Sequence, residues 1–233
     1  MSRILDAQGA PATAVKIAVA LTSHEMAPIL FTYHITQMAL FTSAIMPEDV
    51  ELNTALVSGT YVHSGRQQML ELLLKQGVTH ILWLDSDMSF PKETLVRLMS
   101  HDVDFVGINY AQRKSPPDFV GIKRGSWHEK GDLGSRLQTT EKDSGLEECD
   151  ALGFGALLMR TAALRDLPED QPWFWYEKKW GLHIGEDVYF CRLLGQMGHK
   201  IYCDHDLSKE CAHIGTFEYR THHAETMNAE GYV

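Results

Sequence analysis

The chain has little cysteine: four residues in 233, at Cys149, Cys191, Cys203 and Cys211. None forms a Cys-x-x-Cys pair, and the spacing matches no zinc site. A zinc ribbon and a disulfide framework are therefore excluded. Reduced, buried thiols in a cytoplasmic protein fit this usage better, with a Cys203–Cys211 pair left open. Long hydrophobic runs are also missing, so no membrane span is expected. Residues 1–14 lack the apolar core of a secretory signal. Basic residues are outnumbered, 21 against 31 acidic, for a formal net charge of −10. That argues against a protein that coats nucleic acid, though a local basic face stays open. There are no internal repeats and no low-complexity tracts.

What is present is ordinary globular material, 44% hydrophobic and 22% charged, and long enough for one sizeable core. Val15 to Leu21 reads as a buried strand running into Thr22-Ser23-His24. A mostly apolar helix follows over Pro28 to Ser43, then a strand within Glu51 to Thr60. Ser64 to Gln76 reads as a helix that Gly77 stops. A strand at 81–84, a helix from about Pro91 to Ser100 and a strand over Val103 to Ile108 continue the alternation. This order predicts a single α/β domain over residues 15–215, with a mostly parallel sheet and helices on both faces. Residues 111–150 are polar and rich in glycine, proline and charge, as in a long functional loop. Ala151 to Arg160 returns to strand, Gly185 to Gly198 to helix, and short strands are expected at Lys200 to Cys203 and Glu210 to Ile214. Residues 1–14 and 216–233 read as flexible tails.

The most informative stretch is His80 to Phe90, where an apolar strand ends in Asp85-Ser86-Asp87. Two carboxylates at i and i+2 point to one side of an extended chain. They are hard oxygen ligands suited to a shared divalent cation, at the carboxyl end of a strand where α/β sheets bind ligands. The plainer alternative is that Asp87 or Ser89 caps a helix beginning near Pro91. A cap leaves Asp85 unexplained.

Further features follow in order: Gly65-Arg66 opening a helix, Gly153-Phe154-Gly155 entering a strand, Gly185-Glu186-Asp187 opening a helix, and His213-Ile214-Gly215 near the end. Taken together, the ordered set resembles glycosyltransferases of the GT-A fold, particularly the inverting family-two-like group. The resemblance implies a Rossmann-like GT-A domain that transfers a hexose from a nucleotide-diphosphate sugar, with UDP-glucose as the default. It implies that Asp85, Ser86, Asp87, Arg66, Thr22 and His24 contact the donor. Gly153 and Gly155 would let sugars approach the backbone. Asp85, Asp87 and His213 would hold Mn²⁺ or Mg²⁺. Asp187 would be the catalytic base, with Glu186 beside it binding acceptor. Gln67 departs from the asparagine that relatives often carry after this arginine. Chemistry supports these roles: a departing diphosphate needs its charge stabilised, and an acceptor hydroxyl needs a general base. Capping residues at a helix start and a core histidine are the plainer readings of Glu186-Asp187 and His213.

A haloacid-dehalogenase-like phosphatase also places Asp-x-Asp after a strand, but near the chain start and with a later Gly-Asp-x-x-x-Asp that is absent here. A pyrophosphorylase would carry a glycine-rich basic loop where Ser23-His24-Glu25-Met26 stands. A glycan-binding module without catalysis would not need Asp187. Two segments bear on the acceptor. Residues 112–142 hold seven basic and four acidic residues, including Arg113, Lys114, Lys123 and Arg124. Residues 173–180 hold five aromatics, among them Trp173 and Trp175, beside Lys178. A solvated loop and an aromatic mini-core would explain each alone. Together they suit a polyanionic acceptor with stackable rings. The compact chain also resembles phage-encoded glycosyltransferases, which would work in the host cytoplasm. Some of these act on hydroxymethylated bases, so a 5-hydroxymethylpyrimidine in DNA such as 5-hydroxymethylcytosine is the first expected acceptor. A cell-surface glycan or glycolipid precursor is the second.

Overall fold

Strand β1 (Val15–Ser23) forms because Ile17 to Ala20 are apolar on both faces, and the structure buries all four. The structure, a computed structural model, describes residues 14–23, 26–126, 134–179, 182–215, 219–222 and 224. After β1 come α1 (Ile29–Ile45), β2 (Val50–Ser58), α2 (Val62–Lys75), β3 (His80–Asp85), β4 (Met88–Ser89), α3 (Thr94–Ser100) and β5 (Phe105–Gly107). The second half contains β6 (Ile122–Lys123), β7 (Leu146–Ala151), β8 (Ala156–Arg160), β9 (Glu177–Lys179), β10 (Leu182–Ile184), α4 (Glu186–Gln196), β11 (Ile201–Asp204), α5 (His205–Glu210), β12 (Ala212–His213) and β13 (Tyr219–Arg220).

Eight strands form one sheet in the order β2-β1-β3-β8-β5-β11-β7-β6. Six of them run one way, with β8 and β7 reversed. The expected mostly parallel α/β architecture is present, with one unforeseen device: β8 inserts antiparallel between β3 and β5. The expected strand at 151–160 is instead the end of β7, a turn over Leu152 to Gly155, and then β8. Cores lie on both faces. Leu70, Phe154 and Phe190 belong to one, and Phe31, Leu82 and Leu207 to the other. All four cysteines are buried and free, so Cys203 and Cys211 are not paired.

Several expected features differ. Neither Asp87 nor Ser89 caps a helix. α3 begins at Thr94 after Glu93, with no side-chain cap, and Ser89 lies buried in β4, bonded to the Ala212 carbonyl. Residues 111–150 are not one open loop, since Phe119, Ile122 and Leu137 are buried within it. In the expected C-terminal tail, β13 pairs with β12, and Ala224 packs on Ala111 and Phe119. The expected N-terminal tail, except for Ala14, lies outside the described residues. Among the described residues no helix is long and apolar enough to cross a membrane.

Candidate active site

The carboxyl ends of β1, β2 and β3 stop together, with Thr22 in register with both Val57 and Asp85. Beyond them opens a cavity of ≈ 290 Å³, where ligands bind in open α/β sheets. Thr22, Arg66, Ser86, Asp87, Asp187 and His213 line it, as do Asp85, Glu186 and Arg113. Residues from six separate stretches of sequence therefore converge on one space.

Two short strands bring His213 to Asp87. β4 directly follows the Asp85-Ser86-Asp87 turn and pairs antiparallel with β12, placing His213 opposite Met88. The Ile214 N–H donates to the Asp87 carbonyl at 2.6 Å. His213 Nε2 then stands 3.3 Å from Asp87 Oδ1, and Arg113 Nη2 lies 2.7 Å from Asp87 Oδ2. Burial pushes the Asp87 carboxyl up, but His213 and Arg113 outweigh it and hold it below its ordinary value. Even so, Asp87 Oδ1 is buried without an aligned hydrogen-bond donor.

Asp85 has a different environment. Its Oδ1 accepts from Arg66 Nη2 at 2.6 Å, while Arg66 Nη1 donates to Glu186 Oε1 at 2.6 Å. Arg66 is buried, with its guanidinium carbon 4.7 Å from the centre of the Phe154 ring. Burial alone would lower its pKa, yet Asp85 and Glu186 raise it. Burial raises the Asp85 carboxyl despite Arg66. Arg66 thus joins β3 to α4 and lines the cavity with its guanidinium bonded to two carboxylates. Glu186 lines the same cavity with Oε1 bonded to Arg66.

Asp187 is the less committed carboxylate. Its Oδ1 accepts from the Val188 N–H at 2.7 Å. Burial, then the Glu186 charge, raises its pKa to about 6, with Arg66 pulling the other way. The helix N-terminus alone would favour its anion, but desolvation wins. Gly185 precedes the pair because a Cβ there would sit 2.8 Å from Asp187 Oδ1.

The other expected site residues lie elsewhere. Gly153 and Gly155 are buried beneath Tyr110, not open to the cavity: a Cβ on Gly153 would strike the Tyr110 hydroxyl. The Gly155 N–H donates to that hydroxyl at 3.2 Å. Trp173 is half-buried, its indole N–H donating to the Pro168 carbonyl at 2.8 Å. Phe174 stacks on Phe190 in the core. Gln67 accepts from the Trp173 and Phe174 N–H groups at 2.9 and 3.3 Å, anchoring this segment. Trp175 and Tyr176 are half-exposed and meet His63 edge-on, with Tyr61 stacked on the same imidazole. Tyr61 also lines the cavity. Sequence reading missed Tyr61 and His63, whose only signal was aromatic residues just before Gly65-Arg66.

Lys178 is exposed in the β9–β10 hairpin. Lys114 pairs with Asp118 at 3.5 Å, and Arg136 with the same carboxylate at 3.6 Å. Arg124 pairs with Glu148 at 2.8 Å and Asp150 at 3.2 Å. The basic segment is thus largely matched by carboxylates of its own chain. His24, Lys130 and Trp180 lie outside the described residues. Among the described residues no three of His, Cys, Asp and Glu gather into a ready-made metal cage.

No family model and no curated protein matches the sequence. Solved structures share the fold. The crystal structure of A197 from STIV matches with a TM-score of 0.56 and 16% identity, over 86% of this chain and 86% of that one. Identity that low shows a shared fold alone.

Proposed function

We propose that this chain is an enzyme, an inverting, metal-assisted glycosyltransferase. It would move a hexose from a nucleotide-diphosphate sugar, UDP-glucose by analogy, to an acceptor hydroxyl. The observation that carries the reading is Asp187, a carboxylate raised to about 6, in the same cavity as Asp85, Asp87 and His213. A general base works best with a pKa near the working pH. Arg66 leaves Asp187 available by engaging Glu186 instead.

The residues fit a divalent cation at Asp87. The buried Oδ1 lacks an aligned donor, and His213 stands 3.3 Å away. Asp87 and His213 would hold Mn²⁺ or Mg²⁺, with Asp85 in the same cavity. When bound, the ion would stabilise charge on the departing diphosphate. The chain's own residues supply the rest. Thr22 and Ser86 line the donor side of the cavity, and Asp187 takes the acceptor proton. A phosphatase reading is weaker, because Asp85 is tied to Arg66 and is a poor nucleophile there.

For the acceptor we favour a glycan or glycolipid precursor. Trp175 and Tyr176 offer half-exposed apolar rings, while Arg124 and Arg136 already answer carboxylates. Hydroxymethylated DNA is the second reading, favoured by exposed Lys178 beside those rings. The test is transfer of labelled sugar onto oligosaccharides and onto hydroxymethylcytosine-containing DNA. Label on the DNA alone, weakening steeply with salt, would reverse the ranking. No label on either, with any common donor, would end the glycosyltransferase reading.

A further inference from the structure

The two aspartates of Asp85-Ser86-Asp87 meet their arginines under opposite conditions. Arg66 is buried, bonds Asp85 and Glu186 together, and lies over the Phe154 ring. Displacing it would leave two carboxylates without their counter-ion in a poorly solvated place. Arg113 comes from the segment after β5, and its side chain is 44% exposed. It holds Asp87 Oδ2 at 2.7 Å and donates to the Ile214 carbonyl at 3.2 Å. A half-exposed ion pair of this kind is weak and exchanges readily. One arginine is locked, and the other is free to leave.

We propose that Arg113 is an exchangeable counter-ion. It holds Asp87 in the donor-free protein and yields that carboxylate to the divalent cation when a nucleotide diphosphate enters. The guanidinium then passes to the diphosphate oxygens. This rests on the metal-assisted reading above. Charge is the first argument: Asp85, Asp87, Glu186 and Asp187 share one cavity, so Asp87 without a cation would face several like charges. Shape is the second, because the planar guanidinium fork matches carboxylate and phosphate alike, and one group can serve both partners in turn. Position is the third. Arg113 lines the same cavity as Ser86 and His213, so the transfer needs a side-chain swing and no change of fold. The consequence is coupling: a cation arriving alone competes with the guanidinium, whereas a cation arriving with a diphosphate does not.

The test reads Mn²⁺ directly, through loss of the free-ion electron paramagnetic resonance signal, without turnover. Wild-type protein should bind Mn²⁺ weakly alone and more tightly with uridine diphosphate. Arg113→Gln should bind Mn²⁺ alone about fivefold more tightly, the scale of one half-exposed ion pair, and gain less from the diphosphate. Arg113→Lys should stay near wild type for Mn²⁺ alone. Near-ultraviolet circular dichroism checks folding of both variants. Equal Mn²⁺ affinity for wild type and Arg113→Gln overturns the exchange but leaves the metal site standing. Absence of Mn²⁺ binding by either protein, with or without the diphosphate, overturns the metal-assisted reading and the exchange with it.

Discussion

At the scale of single residues the site turns on two groups that stability and chemistry pull in different directions. Asp187 has an ordinary value of 3.8 that folding raises to about 6. Its protonated form is therefore the one folding favours. That stabilisation is fully present below about pH 3.8 and is lost as pH rises through 6. Asp187→Asn should accordingly melt at a higher temperature than wild type at pH 7.5, with the gap closing near pH 3.8. The same variant should lose ~10²-fold or more in kcat, because an amide cannot take the acceptor proton. Wild-type kcat should fall on the acid side with an apparent pKa near 6. A melting scan and a pH–rate profile check both halves, and a wild-type profile flat from pH 5 to 8 would remove Asp187 as base. Arg66 is the opposite case. Arg66→Ala leaves Asp85 and Glu186 facing each other with no cation between them, so a loss of about 3–5 kcal/mol is expected in urea unfolding.

At the scale of elements, two-residue strands and close backbone contacts set the geometry. β4 and β12 carry no periodicity that a sequence can reveal, yet their pairing sets His213 against Asp87. His213 itself was singled out by its place after the last expected strand. Its place beside Asp87 was implied by the family resemblance alone, because Asp87 lies far away in the sequence and no local pattern joins the two. The same holds for Arg66, whose partners stand 19 and 120 residues along the chain. Gly153 and Gly155 were legible as a special turn, but their reason was not, since Tyr110 arrives from another element. That reason can be tested. A Cβ on Gly155 would lie 2.6 Å from the Tyr110 ring and 3.1 Å from Met88. Tyr110 is buried, and its ring lies against Gly153 as well. Gly155→Ala should cost about 1–3 kcal/mol. Gly195, inside α4 with nothing near its Cβ position, is the control. Gly195→Ala should be stabilising by about 0.4–1 kcal/mol. Thermal unfolding of the two variants should move in opposite directions.

At the scale of the whole molecule, strands buried on both faces announced the α/β order, and β1 and β3 fall where their apolar runs do. The reversed β8 was illegible because an apolar run carries no sign of direction. The cavity was legible in part: Asp-x-Asp at the end of an apolar strand belongs at the carboxyl edge of such a sheet. The charge balance of residues 112–142 carries less information than its count suggests, for a physical reason. Composition counts charges, whereas the fold pairs Arg124 with Glu148 and Asp150, and Arg113 with Asp87. The central claim is that this edge of the sheet transfers sugar with help from a cation and one base. It is tested most directly by nucleoside diphosphate release from UDP-glucose and other common sugar nucleotides, supplied with a mixed oligosaccharide and hydroxymethylated-DNA acceptor pool. Wild type should release diphosphate in Mn²⁺, lose the activity in excess chelator, and lose it with Asp87→Ala. Diphosphate release that continues undiminished in chelator or in Asp87→Ala, or no release from any donor, would contradict the account.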